Sequence, residues 1–213
     1  MTRPDDELLK KWGFSTLAVH GAGGTDPTTG AVSKPIYQSS TFAFRSAESG
    51  AAIFAGEEQG FVYTRIGNPT TQGLEQEIAF LEGGEAAVAF ASGMAATTGV
   101  ILAFAESGDN IVMCEPVYGG THKLAQEILP RLGIQARPVD ALELERVKEA
   151  IDEDTALVWI ETPANPTLKV VDISAIAEVA KKAGVPMAVD NTFATPYYQR
   201  PLELGAQIVV HSS

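Results

Sequence analysis

From residue 68 onward the chain alternates short apolar runs with segments whose apolar residues recur at helical spacing, and few folds accommodate that alternation. The runs at 85–91, 110–114, 134–139, 155–161, 186–190 and 207–211 read as strands, and 93–105, 120–131, 141–151 and 172–183 read as helices. NIVMC and TALVWIE are apolar nearly throughout instead of at alternate positions, as expected of strands buried on both faces. Such strands, separated by helices, imply an α/β fold with a mostly parallel sheet covered by helices. Ahead of the first run, Asn68-Pro69-Thr70 is a helix start, followed by Leu74, Ile78 and Leu81 at helical spacing and a Gly83-Gly84 stop. There is no internal repeat and no low-complexity tract.

Residues 1–66 differ. They are rich in Gly, Thr, Ser and Pro, and Phe42, Phe44, Phe54 and Phe61 need a surface to pack on. The expected organisation is an extended arm at 1–66, with a short helix near 48–55, lying across another subunit or the main domain, and an α/β domain at 67–213. A domain seldom ends directly off a buried strand, so the 213 residues are expected to belong to a longer polypeptide.

Composition narrows the partners. A hydrophobic fraction of 45% is enough for a substantial core, and a formal net charge of −12 disfavours nucleic acid and anionic membrane surfaces. A small molecule or a second copy of the chain fits better. Cys114 is the single cysteine, which rules out an internal disulfide and suits a reducing compartment, so the cytoplasm is expected. Three scattered histidines, His20, His122 and His211, make a metal site a poor expectation, and packing or exposure accounts for each.

Chemistry-bearing residues recur at strand ends and helix starts. Asp190 closes the run Val185-Pro186-Met187-Ala188-Val189, where open α/β sheets place ligands; it could equally cap the Asn191-Thr192 segment. Ser92-Gly93-Met94-Ala95 opens a helix whose free N–H groups and dipole suit an anion, although small residues there also permit close packing. In Tyr63-Thr64-Arg65 the guanidinium offers a fork of donors for phosphate, with the tyrosine hydroxyl on the same side of an extended segment; a plain surface loop is the alternative. Val117-Tyr118-Gly119-Gly120-Thr121 is either a turn or a close backbone approach with an aromatic ring to stack on a flat ligand and donate a proton. Glu161-Thr162-Pro163-Ala164-Asn165-Pro166-Thr167 leaves a strand end as a proline-stiffened loop. His211-Ser212-Ser213 ends the last run in hydroxyls suited to a phosphate.

Taken in chain order, these motifs resemble the pyridoxal-phosphate (PLP) enzymes of cysteine and methionine metabolism, the cystathionine γ-synthase and methionine γ-lyase family. The resemblance runs from Thr16-Leu17-Ala18-Val19-His20-Gly21 to His211-Ser212. It implies the aspartate aminotransferase-like fold of PLP-dependent transferases, fold type I, and a PLP cofactor. Ser92, Gly93, Met94 and Ser212 would cradle the phosphate, and Tyr63 and Arg65 would reach the phosphate in a neighbouring subunit. Tyr118 would stack on the ring and serve as acid for the departing sulfur group. Asn165 would meet the ring hydroxyl, Asp190 the ring nitrogen, and Thr192 the underside of the ring, with Glu161 in support. The family's Schiff-base lysine lies in His-Ser-x-Thr-Lys, and this chain ends at Ser213, just before the Thr-Lys. The implied assembly is a homotetramer of active dimers.

The implied reaction is γ-elimination of L-methionine or a related sulfur amino acid to thiol, ammonia and α-keto acid. The stretches Gly50-Ala51-Ala52-Ile53-Phe54-Ala55-Gly56-Glu57 and Pro196-Tyr197-Tyr198-Gln199-Arg200-Pro201-Leu202 look like those of methionine γ-lyases. Gly120, where many of those enzymes carry cysteine, matches γ-synthases, cystathionine γ-lyases and O-acetylhomoserine sulfhydrylases, which counts against strict methionine specificity and makes γ-replacement by a sulfhydrylase or γ-synthase the alternative. A non-catalytic subunit that keeps the fold is a further one, and a transaminase of the same fold is disfavoured by the Tyr-Thr-Arg-Ile-Gly-Asn-Pro and Val-Tyr-Gly-Gly motifs.

Overall fold

In the computed structural model, which describes residues 11–21, 23–26 and 28–213, Asn68 starts a helix as its context predicts. Its Oδ1 accepts the Thr70 N–H at 2.8 Å, Pro69 takes the first helical position, where its missing N–H has no partner to lose, and Gly83 ends the helix at φ 72°. This helix, Pro69–Glu82 (α3), follows two shorter ones, Phe14–His20 (α1) and Ala47–Phe54 (α2). Ser46 caps α2 by accepting the Ser49 N–H at 3.2 Å. Of these three helices, only α1 was not expected from the sequence. The described residues up to Ala89 form one compact unit, and those from Phe90 form a second.

Among the described residues of the first unit, strand-like pairing is limited to an antiparallel bridge between Thr41 and Tyr63. Asn68 knits the segments together, its Nδ2 donating to the Tyr37 carbonyl at 2.9 Å and to Thr64 Oγ1 at 3.0 Å. Phe42 packs on Phe61 and Phe44 on Phe54, which pairs the four phenylalanines that needed a surface. The expected strand at 85–91 is not formed. Its alternation is strand-like, but a strand needs a ladder partner, and none pairs with it among the described residues.

The second unit is the α/β body. Its strands are Asn110–Cys114 (β1), Gln135–Val139 (β2), Thr155–Glu161 (β3), Met187–Asp190 (β4) and Ile208–Val210 (β5), all parallel in the order β2-β1-β3-β4-β5. Between them lie Gly93–Phe104 (α4, ahead of β1), Gly119–Lys123 (α5), Leu144–Ala150 (α6), Ile173–Ala183 (α7) and Thr195–Tyr198 (α8). The helix after α5 widens into a π-turn at Leu124–Ile128 and tightens into a 3-10 turn at Leu129–Leu132. Pro130 explains the change, because its ring would clash with the Gln126 carbonyl of a regular helix and it has no N–H to donate. Trp159, Ile111, Leu157, Ile160 and Met187 are fully buried with Ile101 and Leu129 from the covering helices.

At the amino end of the sheet, Asp152 joins three strands. Its Oδ1 accepts from Asn110 Nδ2 at 2.8 Å and Thr155 Oγ1 at 3.1 Å, and its Oδ2 pairs with the Arg137 guanidinium. The Asn110 hydrogen bond first, then the Arg137 bond, hold its carboxyl from the ordinary 3.8 down to about 2. A depressed pKa stabilises the fold above the ordinary value and ceases to do so as pH falls through the depressed one. We therefore expect an acid-induced loss of stability between those values that is smaller in Asp152→Asn, read by circular dichroism of the full chain across that window.

Candidate active site

The strand order places the site. From β1 the chain moves outward to β2 and then returns to the opposite side of β1 for β3, β4 and β5, so β1 and β3 flank the point of reversal. Open α/β sheets bind ligands in the crevice beyond the carboxyl ends of such strands. A cavity of about 360 Å³ opens there, and Ser92, Gly93, Met94, Tyr118, Glu161, Asn165, Asp190, Thr192 and Ser212 all line it. A larger hollow of about 560 Å³, lined by Glu115, Pro138, Asp140 and Arg146 among others, contains none of these residues.

One end of the cavity is built for an anion. Ser92 caps α4, its Oγ accepting the Ala95 N–H at 3.1 Å, which leaves the first N–H groups of the helix, at Gly93 and Met94, without carbonyls behind them. A Cβ on Gly93 would lie 2.5 Å from Ser212 Cβ and 2.6 Å from its Oγ, so the cradle exists only because residue 93 has no side chain. Ser212 in turn donates its N–H to Thr192 Oγ1 at 3.0 Å, bringing the ends of β4 and β5 together.

The other end carries a ring, an acid and a stiff loop. Tyr118 is 47% exposed, and a Cβ on Gly120 would lie 2.6 Å from its Cε1 and 2.9 Å from Met94 Sδ. The missing side chain at 120 is thus the gap that admits the tyrosine ring. Glu161 is 5% exposed and accepts the Tyr118 N–H at Oε2 and the Asn165 N–H at Oε1, both at 2.7 Å. Burial, foremost, and the nearby Asp190 charge push its carboxyl above the usual range, while the two N–H groups pull it down. Asp190 ends β4 in register with Glu161 and Val210, and its Oδ1 accepts the Thr192 N–H at 3.0 Å. The capping role is therefore met by one oxygen of a residue that also lines the cavity. The loop after β3 closes on itself through Ala164 N–H to the Lys169 carbonyl at 3.0 Å, with Leu168 held in the left-handed region at φ 55°.

Tyr63 and Arg65 belong to the unit that ends at Ala89. They share a side through a turn, not through an extended segment: Ile66 N–H donates to the Tyr63 carbonyl at 2.8 Å, and the Arg65 guanidinium carbon stands 5.5 Å from the centre of the Tyr63 ring. The Gly67 N–H also donates to the Tyr63 carbonyl at 3.0 Å, directly ahead of the Asn68 cap.

The sequence pattern did not single out Gln199. Its Nε2 donates to the Thr162 carbonyl and to Asn191 Oδ1, both at 2.8 Å, so it ties the loops after β3 and β4. Asn191 and Thr162 are fully buried, which the sequence does not reveal, so nothing in it signalled the tie. Cys114 is not a nucleophile in this setting, because burial, above all, raises its thiol to about 12; its Sγ instead receives the Glu161 N–H at 3.1 Å. No group of three or more metal-ligating side chains occurs among the described residues, and none of their helices is long and apolar enough to cross a membrane.

The chain is similar to several known proteins. The chain is 50% identical over 204 residues to the L-methionine gamma-lyase of Fusobacterium nucleatum subsp. polymorphum, covering 95% of this chain and 51% of that protein. It is 48% identical over 198 residues to the cystathionine gamma-lyase of Bacillus subtilis, covering 93% and 50%. Its structure matches that of a Campylobacter jejuni protein assigned as an O-acetylhomoserine (thiol)-lyase, solved with N'-pyridoxyl-lysine-5'-monophosphate, at a TM-score of 0.89 and 38% identity over 95% of this chain and 50% of that one. The chain spans about half the length of these relatives. The Cys/Met metabolism PLP-dependent enzyme family matches residues 15–213. With the α/β sheet of fold type I, the cavity at its point of reversal and that match together, the chain belongs to the Cys/Met metabolism PLP-dependent enzyme family.

Proposed function

We propose that the cavity holds pyridoxal phosphate and that the whole protein catalyses γ-elimination of L-methionine or related sulfur amino acids to thiol, ammonia and an α-keto acid. The observation that carries this reading is the convergence of the α4 amino end and the β1, β3, β4 and β5 carboxyl ends on one cavity with an anion cradle at one side and Tyr118, Asn165 and Asp190 at the other. A phosphate-bearing flat heterocycle fits that donor set, since a side chain on Gly93 would fill the cradle. When bound, the cofactor supplies an electron-withdrawing ring that takes up the charge left as protons leave the substrate carbons.

The residues of the chain bind and orient. The N–H groups of Gly93 and Met94 and the hydroxyls of Ser92 and Ser212 hold the phosphate. Tyr118 stacks on the ring and gives its hydroxyl proton to the departing sulfur. Asn165 donates to the ring hydroxyl, Thr192 supports the ring from below, and Asp190 keeps a proton on the ring nitrogen. Tyr63 and Arg65 serve the phosphate of a neighbouring copy in a homotetramer of active dimers in the cytoplasm, with residues 1–66 as the inter-subunit arm and 67–213 as cofactor-binding domain. Exposed Val32, Ile36 and Ile66 give that arm apolar surface to bury.

The γ-replacement of an activated homoserine by sulfide or cysteine is the second reading, favoured by Gly120. An assay of the full-length protein with PLP separates them. L-Methionine alone is expected to yield thiol and α-keto acid in equal amounts, whereas product only from O-acetylhomoserine plus sulfide would transfer the assignment to replacement.

A further inference from the structure

Glu161 is the one side chain described above whose two oxygens receive N–H groups from different loops. Tyr118 lies on the loop after β1 and Asn165 on the loop after β3, so the carboxylate spans the point where the strand order reverses. Its own N–H is anchored on Cys114 Sγ, the last residue of β1, which fixes the glutamate to both strands it bridges. Both of its partners are donors. An ionised carboxylate offers two acceptors and no donor, whereas an amide offers one acceptor and turns an NH₂ group against the other N–H. Packing alone would accept glutamine here, because the two side chains have nearly the same shape.

We propose that Glu161 is the positioning residue of the site, its two carboxylate oxygens setting the spacing between the Tyr118 ring and Asn165. This rests on the reading of Tyr118 and Asn165 as the groups that meet the cofactor ring. Holding their backbones at one separation defines the slot into which a flat ring slides, before any ligand arrives. The role is distinct from catalysis, since Glu161 acts through the two loops it ties.

The test is amide hydrogen exchange of the full chain without cofactor, wild type against Glu161→Gln, followed by titration of each with pyridoxal phosphate by absorbance. At least one of the Tyr118 and Asn165 amides is expected to exchange about tenfold faster or more in the variant, with β1 and β3 unchanged. Cofactor affinity is expected to fall by about tenfold, as for loss of a supporting contact. Unchanged exchange at both amides, faster exchange throughout β1 and β3, or released amides with unaltered affinity would each overturn the proposal. Should Glu161→Gln not fold, Glu161→Asp takes the same two measurements; its carboxylate is one methylene short of spanning both N–H groups and is expected to release one of them. Asp190→Ala serves as the separate control. Normal cofactor affinity in that variant would count against the site assignment itself, whatever Glu161 does.

Discussion

In the full-length protein, Asp190→Ala is expected to lower turnover by on the order of 10³-fold and to weaken pyridoxal phosphate binding, the cost of removing one partner of a buried charge pair. The residue ends β4 at the floor of the cavity, and one of its oxygens already caps Thr192. Alanine therefore removes two things, the cap and the charge. Asp190→Asn separates them, because an amide oxygen can still accept the Thr192 N–H while no longer holding a proton on a ring nitrogen. If the charge is what matters, the asparagine variant keeps its thermal stability and is nearly as inactive as alanine. If both variants turn over at the normal rate, the ring nitrogen is held elsewhere.

Tyr118→Phe is expected to slow turnover by roughly 10²-fold or more while leaving cofactor affinity close to that of the wild type. The structure explains why the two effects separate. The tyrosine is placed by its backbone N–H on Glu161 and by the absent side chain at Gly120, neither of which involves the hydroxyl. Phenylalanine should keep the ring in position and remove only the proton donor. Steady-state kinetics with a thiol-bearing substrate, compared with a titration of cofactor, measures both quantities. An unchanged rate would remove Tyr118 as the acid.

The strands β1 and β3 were legible to the residue because burial on both faces leaves an uninterrupted apolar run with polar residues at its ends. The helix start at Asn68 was legible through its cap, which is decided by neighbours three residues away or fewer. Residues 85–91 misled for the complementary reason. Their alternation is local, whereas a ladder depends on a partner that no local pattern specifies. The turn at Tyr63 was missed because spacing alone cannot tell an extended pair from one that folds back.

The site shows the same division. Each residue expected there from Ser92 to Ser212 lines the cavity, since strand ends and helix starts are local features that a parallel sheet gathers at one edge. What Glu161 and Gln199 join was not legible, because each spans loops separated by dozens of residues and depends on the register of β1, β3 and β4. The motif gave Glu161 a place but no partner, and Gln199 gave no signal of a tie at all.

Hydrogen exchange of the full chain with and without pyridoxal phosphate tests the central claim most directly. Slower exchange on binding is expected at the Gly93 and Met94 amides, at the amino end of α4, and along the loop that begins at Tyr118, with the Asp152 cluster at the opposite end of the sheet unaffected. Binding that leaves Gly93 and Met94 unprotected, or that protects the hollow around Glu115 and Arg146 instead, would contradict it.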